Sequence, residues 1–455
     1  MEKRIMLIAT FAITSFLFAQ KIVAQGTNQF TLQQCIDYSL ENYNDVKNGQ
    51  LDIQSAEAKV GEIRGVGLPH LSGSASINDN PELKRMFLQG GTTIAPPGSD
   101  PNSVVAMPNF FQLRSSGDVS LNLSQLLFDG SYLVGLKAAN VYKDLATKSL
   151  LQTKIQVVEN VTKAFYVVLI NQEQLELVKA NVARLDTLLS NTQAYQKQGF
   201  VEEIDVNRIE VARNNLQAEL TKFNQIYEVT YLLLKFQMGM PLSDTLSLSG
   251  NIKDVQLETL DVNMLVSPEN RVEYSLLKTQ KQLSLLDVKN NKAKYMPSLS
   301  GFATGGYTRS DLNIGKVLQN HWYSYMMWGV SMNISILEGG SKHYRLKQAK
   351  YQYAKSENNL EQFGQTVDLQ VKQAVYSLNN ELENLKIQKR NLDLANKVVS
   401  VSKIKYTAGT GSNLEVIDAE NAFKQAQTNY YNAAYGVLVA KINYEKSTGT
   451  LYTGQ

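Results

Sequence analysis

The chain has 455 residues, of which 43% are hydrophobic and 19% are charged, and its net charge is +3. This composition predicts a folded protein with the length of two or three ordinary domains and excludes a disordered tail. The small, evenly spread charge argues against a nucleic-acid partner. Cys35 is the only cysteine, which excludes an intramolecular disulfide, and the three histidines lack metal-ligand spacing, so no metal or other cofactor is expected.

A secretory signal peptide is predicted over residues 1–24. A basic start is followed by an apolar run over 5–18 and by small residues at Ala19 and Ala24, either of which suits cleavage. The residues before Cys35 faintly resemble a lipidation site, but they are polar, so we expect an exported chain without a lipid. No later stretch is long and apolar enough for a transmembrane helix. The mature chain is therefore expected to be either soluble outside the cytoplasm or a β-barrel component of an outer membrane.

The mature chain consists of two repeats. LPHLSGSA at Leu68–Ala75 resembles MPSLSGFA at Met296–Ala303, and further along a constant offset of 210 residues relates apolar, glycine and acidic positions. The first copy carries about 18 additional residues of loop character within 78–109. The matched pairs at the 210-residue offset include Val161/Val371, Val168/Leu378, Leu175/Leu385, Val182/Leu392, Leu189/Val399, Gly199/Gly409, Asp205/Glu415 and Gly239/Gly449.

Each repeat has the same predicted order of elements. The first repeat, 25–240, comprises a helix (31–66), a β-hairpin (70–125), a long helix (131–198), a tip turn (199–204) and a short helix (204–238). Residues 241–267 form a linker or equatorial module. The second repeat, 268–455, comprises a helix (268–295), a β-hairpin (298–337), a long helix (341–408), a tip turn (409–413) and a short helix (413–448).

Apolar residues recur every seven positions along both long helices, which predicts left-handed coiled coils. At a rise of about 1.5 Å per residue, roughly 65 residues span nearly 100 Å, far more than an ordinary globular helix. The short helices have about half this length, so two of them stacked end to end would match one long helix. We therefore expect a uniform layer of coiled helices.

The strand segments alternate between apolar and small polar residues. In WGVSMNISIL, one face carries Trp328, Val330, Met332, Ile334 and Ile336 and the other carries glycine, serine and asparagine. Such strands suit either a soluble β-sandwich in which one face of each sheet is exposed to solvent, or a β-barrel with lipid outside and water inside. The signal peptide and the lack of a transmembrane helix favour the barrel. Four strands are too few to close a barrel, so several copies of the chain must contribute strands to it. A trimer contributes twelve strands.

The glycine breaks predict helical hairpin tips. Gly199 and Gly409 suit the ends of the long helices, and Ser412 or Asn413 suits the N-cap of the next helix. Glu415 and Asp418 lie one turn apart at the start of that helix. The helix dipole, which favours acids in a first turn, explains both residues, and so does a shared face that points into a bore. The residues alone favour the dipole explanation over the bore.

These motifs resemble the TolC family of outer-membrane efflux proteins across nearly all of the mature length. The motifs are LENYNDVKNGQLDIQSAEAKVGEIRGVGLPHLSGSA, LSQLLFDGS with its counterpart ISILEGGS, and YTAGTGSNLEVIDAENA. The resemblance implies a mainly α protein with two structural repeats, whose long coiled-coil helices form a periplasmic α-barrel. Four strands per chain would contribute to a 12-stranded trimeric β-barrel in outer-membrane lipid. It also implies a homotrimer that works with a periplasmic adaptor (membrane fusion protein) and an inner-membrane pump of RND or ABC type.

The resemblance further implies a role for the tip residues. Glu415 and Asp418 would form stacked carboxylate rings at a closed tip, and Tyr406 would bond Asp205 across neighbouring helices. Gly411 stands where well-studied members carry an arginine clamp, so Lys403 or Lys405 would have to replace that clamp, or the closed state is less stable. If the Tyr406–Asp205 link holds the tip closed, Tyr406→Phe raises resting conductance.

The expected function is an outer-membrane exit duct for efflux or type I secretion, without enzymatic chemistry, because no nucleophile–base–orienter arrangement and no phosphate loop occur in the sequence. An aromatic cluster at Tyr323, Tyr325 and Met326–Trp328 suggests a girdle at the membrane interface. The main alternative is a periplasmic coiled-coil adaptor or structural protein of an export complex, which normally has one hairpin rather than two. An exported enzyme on a helical scaffold and a structural filament fit less well.

Overall fold

The computed structural model describes residues 29–252 and 266–454, so the predicted signal peptide and residues 253–265 of the predicted linker lie outside the described residues. The chain divides into two compact units. One contains the chain up to Leu51, Lys148–Ser275 and the chain from Gln362 onward. The other contains Asp52–Thr147 and Leu276–Glu361.

The elements of the first half begin with a short strand and a broken helix. In order they are β1 (Gln29–Phe30), α1 (Leu32–Asn42), α2 (Asn44–Val66), β2 (His70–Asp79), β3 (Met86–Gln89), β4 (Val104–Met107), β5 (Ser115–Phe128), α3 (Gly130–Lys197) and α4 (Glu203–Met238). The single helix predicted over 31–66 is therefore wrong in one detail. Tyr43 adopts an extended conformation, with φ −67° and ψ 131°, and separates α1 from α2. The residues predicted as an 18-residue loop insertion contain the small antiparallel hairpin β3–β4.

The elements of the second half repeat this order. They are β6 (Ser247–Leu248), a 3₁₀ turn (Pro268–Asn270), α5 (Val272–Ala293), β7 (Ser298–Asp311), α6 (Ile314–Gln319), β8 (Tyr323–Asn333), α7 (Ser341–Thr407) and α8 (Asn413–Thr448). β6 pairs in parallel with β1. The prediction that Ile334 and Ile336 extend the last strand is wrong, because β8 ends at Asn333.

Four antiparallel strands form one sheet in the order β2-β5-β7-β8. The register aligns the alternating residues of all four strands, for example Leu71 with Leu123, Leu123 with Ala303, and Ala303 with Trp328. One face is consequently apolar, and the other is polar. The apolar face carries Leu71, Ala75, Ile77, Val119, Leu121, Leu123, Leu299, Tyr307, Met326, Trp328, Val330 and Met332.

The polar face of this sheet is lined mainly by serine, threonine and asparagine. Two of its cross-strand hydrogen bonds join Ser74 to Ser120 at 2.9 Å and Thr304 Oγ1 to Asn122 Oδ1 at 2.9 Å. Tyr325 also lies on this face and donates to Asp118 at 2.9 Å. The predicted aromatic girdle is therefore divided between the two faces, with Trp328 on the apolar face and Tyr325 on the polar one.

The predicted heptad positions of both long helices form apolar cores. In α3, Val161 and Val168 are fully buried, and in α7, Leu378 and Val371 are at most 1% exposed. Near the ends of the helices, Val182 packs with Leu185 and Leu216 of the α3–α4 pair. A second small core, formed by Val399, Ala419 and Phe423, lies between α7 and α8. The coiled-coil prediction is confirmed at these positions.

None of the helices described over 29–252 and 266–454 combines the length and apolarity needed to cross a bilayer.

Four helices end in the same glycine motif. Gly199, Gly239, Gly409 and Gly449 all have positive φ, between 69° and 79°. In each case the glycine and the next residue donate backbone hydrogen bonds into the last turn, as Gly409 does to Tyr406 and Thr410 to Lys405. This is the Schellman arrangement, which satisfies the last carbonyls of the helix and requires a left-handed residue.

Gly449 has an additional constraint that Gly409 lacks. A Cβ atom at 449 would lie 2.4 Å from the carbonyl oxygen of Asn270, whereas one at 409 would meet nothing within 4 Å. Both alanine substitutions impose the left-handed backbone penalty, but only Gly449→Ala also forces two backbones apart. We expect Gly449→Ala to lower the free energy of unfolding by about 1–2 kcal/mol more than Gly409→Ala does. Denaturant unfolding of both variants checks this, and equal losses would contradict the close approach.

Candidate functional site

The two helical hairpins end in similar turns. We define the first hairpin as α3 and α4 and the second hairpin as α7 and α8. Gly199 and Gly409 end α3 and α7 with φ of 79° and 73°. Gly411 does not have a positive φ, but its backbone N–H donates to Lys405 at 3.1 Å. A Cβ at 411 would lie 2.9 Å from Lys405 Cβ, so this turn is packed tightly around a residue without a side chain.

The start of α8 carries the two predicted carboxylates. Ser412 is the N-cap, and its hydroxyl accepts a hydrogen bond from the backbone N–H of Glu415 at 3.3 Å. Glu415 and Asp418 are both exposed, whereas Val416 and Ala419, which follow them in the sequence, are buried. Neither carboxylate has an ion-pair partner within the described part of the chain, so both retain their acceptor capacity.

The start of α4 has a different charge pattern. At the 210-residue offset, Asp205 corresponds to Glu415, but Arg208 corresponds to Asp418. Arg208 Nη1 lies 3.7 Å from Asp205 Oδ1 within the same helix. The first tip is therefore electrically balanced at these two positions, whereas the second presents two acids.

The predicted Tyr406–Asp205 link is not formed as a hydrogen bond between the two side chains. The Tyr406 hydroxyl lies 3.1 Å from Oγ1 of Thr192, which is fully buried on α3. Asp205 instead contributes its backbone carbonyl, which accepts a hydrogen bond from Asn413 Nδ2 at 2.9 Å. Both contacts still join the second hairpin to the first, through partners that the sequence comparison did not indicate.

The two lysines proposed as substitutes for the arginine clamp behave differently. Lys403 Nζ lies 2.6 Å from Glu420 Oε1, so it pairs with α8 of its own hairpin. Lys405 forms no ion pair among residues 29–252 and 266–454. Lys403 therefore does not reach across to the first hairpin as an arginine clamp would.

Glu420 was missed as a site residue, although the sequence contained a signal for it. The positions Asn413, Val416, Glu420, Phe423 and Gln427 follow the alternating three- and four-residue spacing of a coiled-coil core, and all five are buried. A carboxylate at a core position must be paired. Its second partner is Arg184 of α3, whose Nε lies 3.4 Å from Glu420 Oε2.

Polar contacts continue along α8 away from the tip. Asn181 donates to Gln427 at 3.3 Å, and both residues are buried. Lys424 forms a 2.7 Å ion pair with Glu219 of α4, with both side chains 31% exposed. Near the tip, the contacts that join the two hairpins are thus mainly polar, and a small apolar core lies inside each hairpin. Farther from the tip, one apolar core contains buried residues of both hairpins, among them Val168 of α3 and Leu438 of α8.

A groove of about 520 Å³ lies beside these contacts, between α4 and α8. Its apolar walls include Ile204, Val211 and Leu414, each at least half exposed. The residues described here contain no group of three or more side chains suited to hold a metal ion.

Comparison with known proteins gives a consistent result. A family model described as "Outer membrane efflux protein" matches residues 35–239 and 278–450, which is most of the chain. The outer membrane protein TolC of Vibrio cholerae is 22% identical over 76% of this chain and 78% of its own length. The alkaline protease secretion protein AprF of Pseudomonas aeruginosa is 22% identical over 70% of this chain and 67% of its own length.

Solved structures share the fold. The CmeC outer membrane channel of Campylobacter jejuni superimposes with a TM-score of 0.73 at 17% identity, covering 92% of this chain and 86% of that channel. The structure of CusC gives the same TM-score at 16% identity, covering 92% of this chain and 91% of its own.

The partner of Tyr406 can be tested by double-mutant cycles. Because the Tyr406 and Thr192 hydroxyls contact each other, Tyr406→Phe and Thr192→Val should each cost about 1 kcal/mol of unfolding free energy, and the double variant clearly less than their sum. Tyr406→Phe and Asp205→Asn should be additive. The measurement is denaturant unfolding of the three single and two double variants. Coupling of Tyr406 to Asp205 and not to Thr192 would contradict the observed pairing.

Proposed function

The chain belongs to the outer membrane efflux protein family, and from this premise we propose that it acts as a homotrimer whose tunnel is gated at its periplasmic tip. The protein resides in the outer membrane and is an exit duct for efflux or type I secretion. The family is one of transport channels rather than enzymes. The trimer, the gate and the protein partners are the proposed parts.

The four-stranded sheet has one apolar and one polar face and two open edges. This observation carries the proposal of a pooled barrel, by which we mean one barrel built from strands of several copies of the chain. The apolar face of the sheet suits lipid, and its serine- and asparagine-rich face suits a water-filled lumen. β2 and β8 are the edge strands, and nearly all of their residues are exposed. Unpaired backbone groups are not tolerated in hydrocarbon, so the edges must pair with strands of other copies. Three copies supply twelve strands, above the minimum of about eight.

Exposed apolar residues on the hairpins support the same stoichiometry. On α7, Ile387, Leu394 and Val401 are each at least half exposed and seven residues apart, and on α4 the same is true of Ile204 and Val211. Apolar residues at this spacing that stay exposed in the described part of the chain suit a helix of a second copy. α7 runs toward its turn and α4 runs away from its turn, so the two stripes would meet as an antiparallel pair.

The tip carboxylates suit an entrance ring. In a trimer, Glu415 and Asp418 would give two stacked rings of three acids, because residues one turn apart share a helix face. Such rings attract cations and repel anions at a narrow constriction. The exposure of both side chains and their lack of cationic partners within the described residues support this role.

The duct would receive its substrates from an inner-membrane pump of RND or ABC type through a periplasmic adaptor. Support comes from relatives that are named for protease secretion and for an efflux pump. The alternative, a periplasmic adaptor, is disfavoured by the two helical hairpins and by the four-stranded sheet with an apolar face.

The orientation of the sheet in lipid can be tested with neighbouring residues of β8. Val330 lies on the apolar face and Ser331 on the polar face. Val330→Lys places a charge against lipid, which costs roughly 2–4 kcal/mol per copy near the bilayer midplane. We expect Val330→Lys to reduce the trimer recovered from the outer-membrane fraction strongly and Ser331→Lys to leave it near the wild-type amount. The reverse pattern, or a monomer in the soluble periplasmic fraction of the wild type, would refute the pooled barrel.

The carboxylate ring can be tested by ion selectivity. Glu415→Gln with Asp418→Asn removes six charges from the tip of a trimer, so we expect a marked fall in the cation-to-anion permeability ratio in planar bilayers. The control is Glu361→Gln with Asp393→Asn, which removes two exposed carboxylates per copy from α7 away from the turn. A ratio that falls equally in both variants would show a general effect of charge and no ring.

A further inference from the structure

Near the tip, the buried carboxylate of Glu420 contacts cations of both hairpins. The Glu420 side chain is only 10% exposed. Lys403 of its own hairpin lies 2.6 Å from Oε1, and Arg184 of the first hairpin lies 3.4 Å from Oε2. Because an unpaired buried charge is strongly unfavourable, the position of Glu420 depends on these two cations.

Arg184 is held in place from both sides as well. Its guanidinium donates to Asn181, on the preceding turn of the same helix. The guanidinium carbon also lies 5.3 Å from the centre of the Phe423 ring, over the face of a residue of α8. Arg184 therefore meets α8 through an ion pair and a cation–π contact, one turn apart.

The two contacts of Glu420 differ in length. Lys403 Nζ approaches Oε1 to 2.6 Å and Arg184 Nε approaches Oε2 to 3.4 Å, and neither Glu420 Oε1 nor Arg184 Nε has a well-directed hydrogen bond. If the hairpins separate, Glu420 keeps Lys403 and Arg184 keeps Asn181. Separation therefore leaves neither charge without a partner, so the contact between the hairpins can be broken reversibly.

We propose that the Arg184–Glu420 contact is the closing contact that holds the second hairpin against the first in the resting tip. This contact joins α3 to α8 and does not involve the turns at the ends of the hairpins. This inference rests on the proposed gated duct and adds two residues to it, Arg184 and Glu420. Lys403 pairs with the carboxylate in both states and does not itself hold the hairpins together.

The exposed ion pair Lys424–Glu219 also joins the hairpins but should contribute less. Both of its side chains are about one-third exposed, so solvent screens the attraction. Another pair, Arg213–Asp186 at 2.8 Å, joins α3 to α4 within the first hairpin. These two pairs are matched controls, because one crosses the same boundary at the surface and the other does not cross it.

The test is single-channel recording of purified trimers in planar bilayers. Glu420→Gln and Arg184→Met should each raise the occupancy of the open state roughly ten-fold, and the double variant should add little, because both remove the same contact. Asp186→Asn should stay near the wild-type occupancy, and Glu219→Gln should change it by less than about two-fold. Trimer recovery and thermal unfolding are measured for every variant.

The outcomes separate this inference from the proposed function. A wild-type protein that forms no trimer or no channel would refute the duct itself. A wild-type channel that rests closed, with Glu420→Gln and Arg184→Met equally closed as intact trimers, would refute the closing contact alone. An equal rise in Asp186→Asn would show general softening of the helices and also refute it. If Glu420→Gln fails to assemble, Arg184→Met and Arg184→Gln decide, because both leave the buried carboxylate paired with Lys403.

Discussion

The seven-residue spacing of apolar side chains along the tip helices is the constraint on which the other features depend. Near the tip it directs apolar residues of α3 and α7 against α4 and α8, so each hairpin has its own small apolar core there. The contacts between the hairpins near the tip are mainly polar, whereas farther along the same helices one apolar core joins both hairpins. Apolar packing is lost all at once when its surfaces separate, whereas ion pairs and hydrogen bonds can exchange partners. The tip thus combines two stiff units with one adjustable boundary.

The sheet and the hairpins share one property, which is that a single chain leaves both incomplete. Within residues 29–252 and 266–454, the sheet has two unpaired edges and an exposed apolar face, and α4 and α7 each carry exposed apolar residues at seven-residue spacing. The proposed trimer would satisfy both by adding identical copies around an axis. In that proposal the channel arises from assembly, since the polar face of each sheet is enclosed only when the edges pair.

Periodicity made the elements predictable from the sequence, but it did not identify their partners. The long helices were predicted to within about one residue, because heptads and flanking glycines act locally. The break at Tyr43 and the end of β8 before Ile334 were missed, since neither has a strong local signal. The partner of Tyr406 was predicted by analogy, and the structure gives Thr192 instead. Glu420 could have been found as a charge at a coiled-coil core position, but its pairing with Arg184 depends on how two separate hairpins pack.

The two ascending helices, α4 and α8, are each 36 residues long, and both end at a glycine that no other residue replaces without strain. Loss of one residue from either helix would turn everything beyond it by about 100° and shorten it by about 1.5 Å. The helix of the altered repeat would then no longer match the corresponding helix of the other repeat in length. The β3–β4 hairpin of the first copy lies between strands, where added length leaves the helices unchanged. The helices of the two copies, by contrast, have to keep matched lengths.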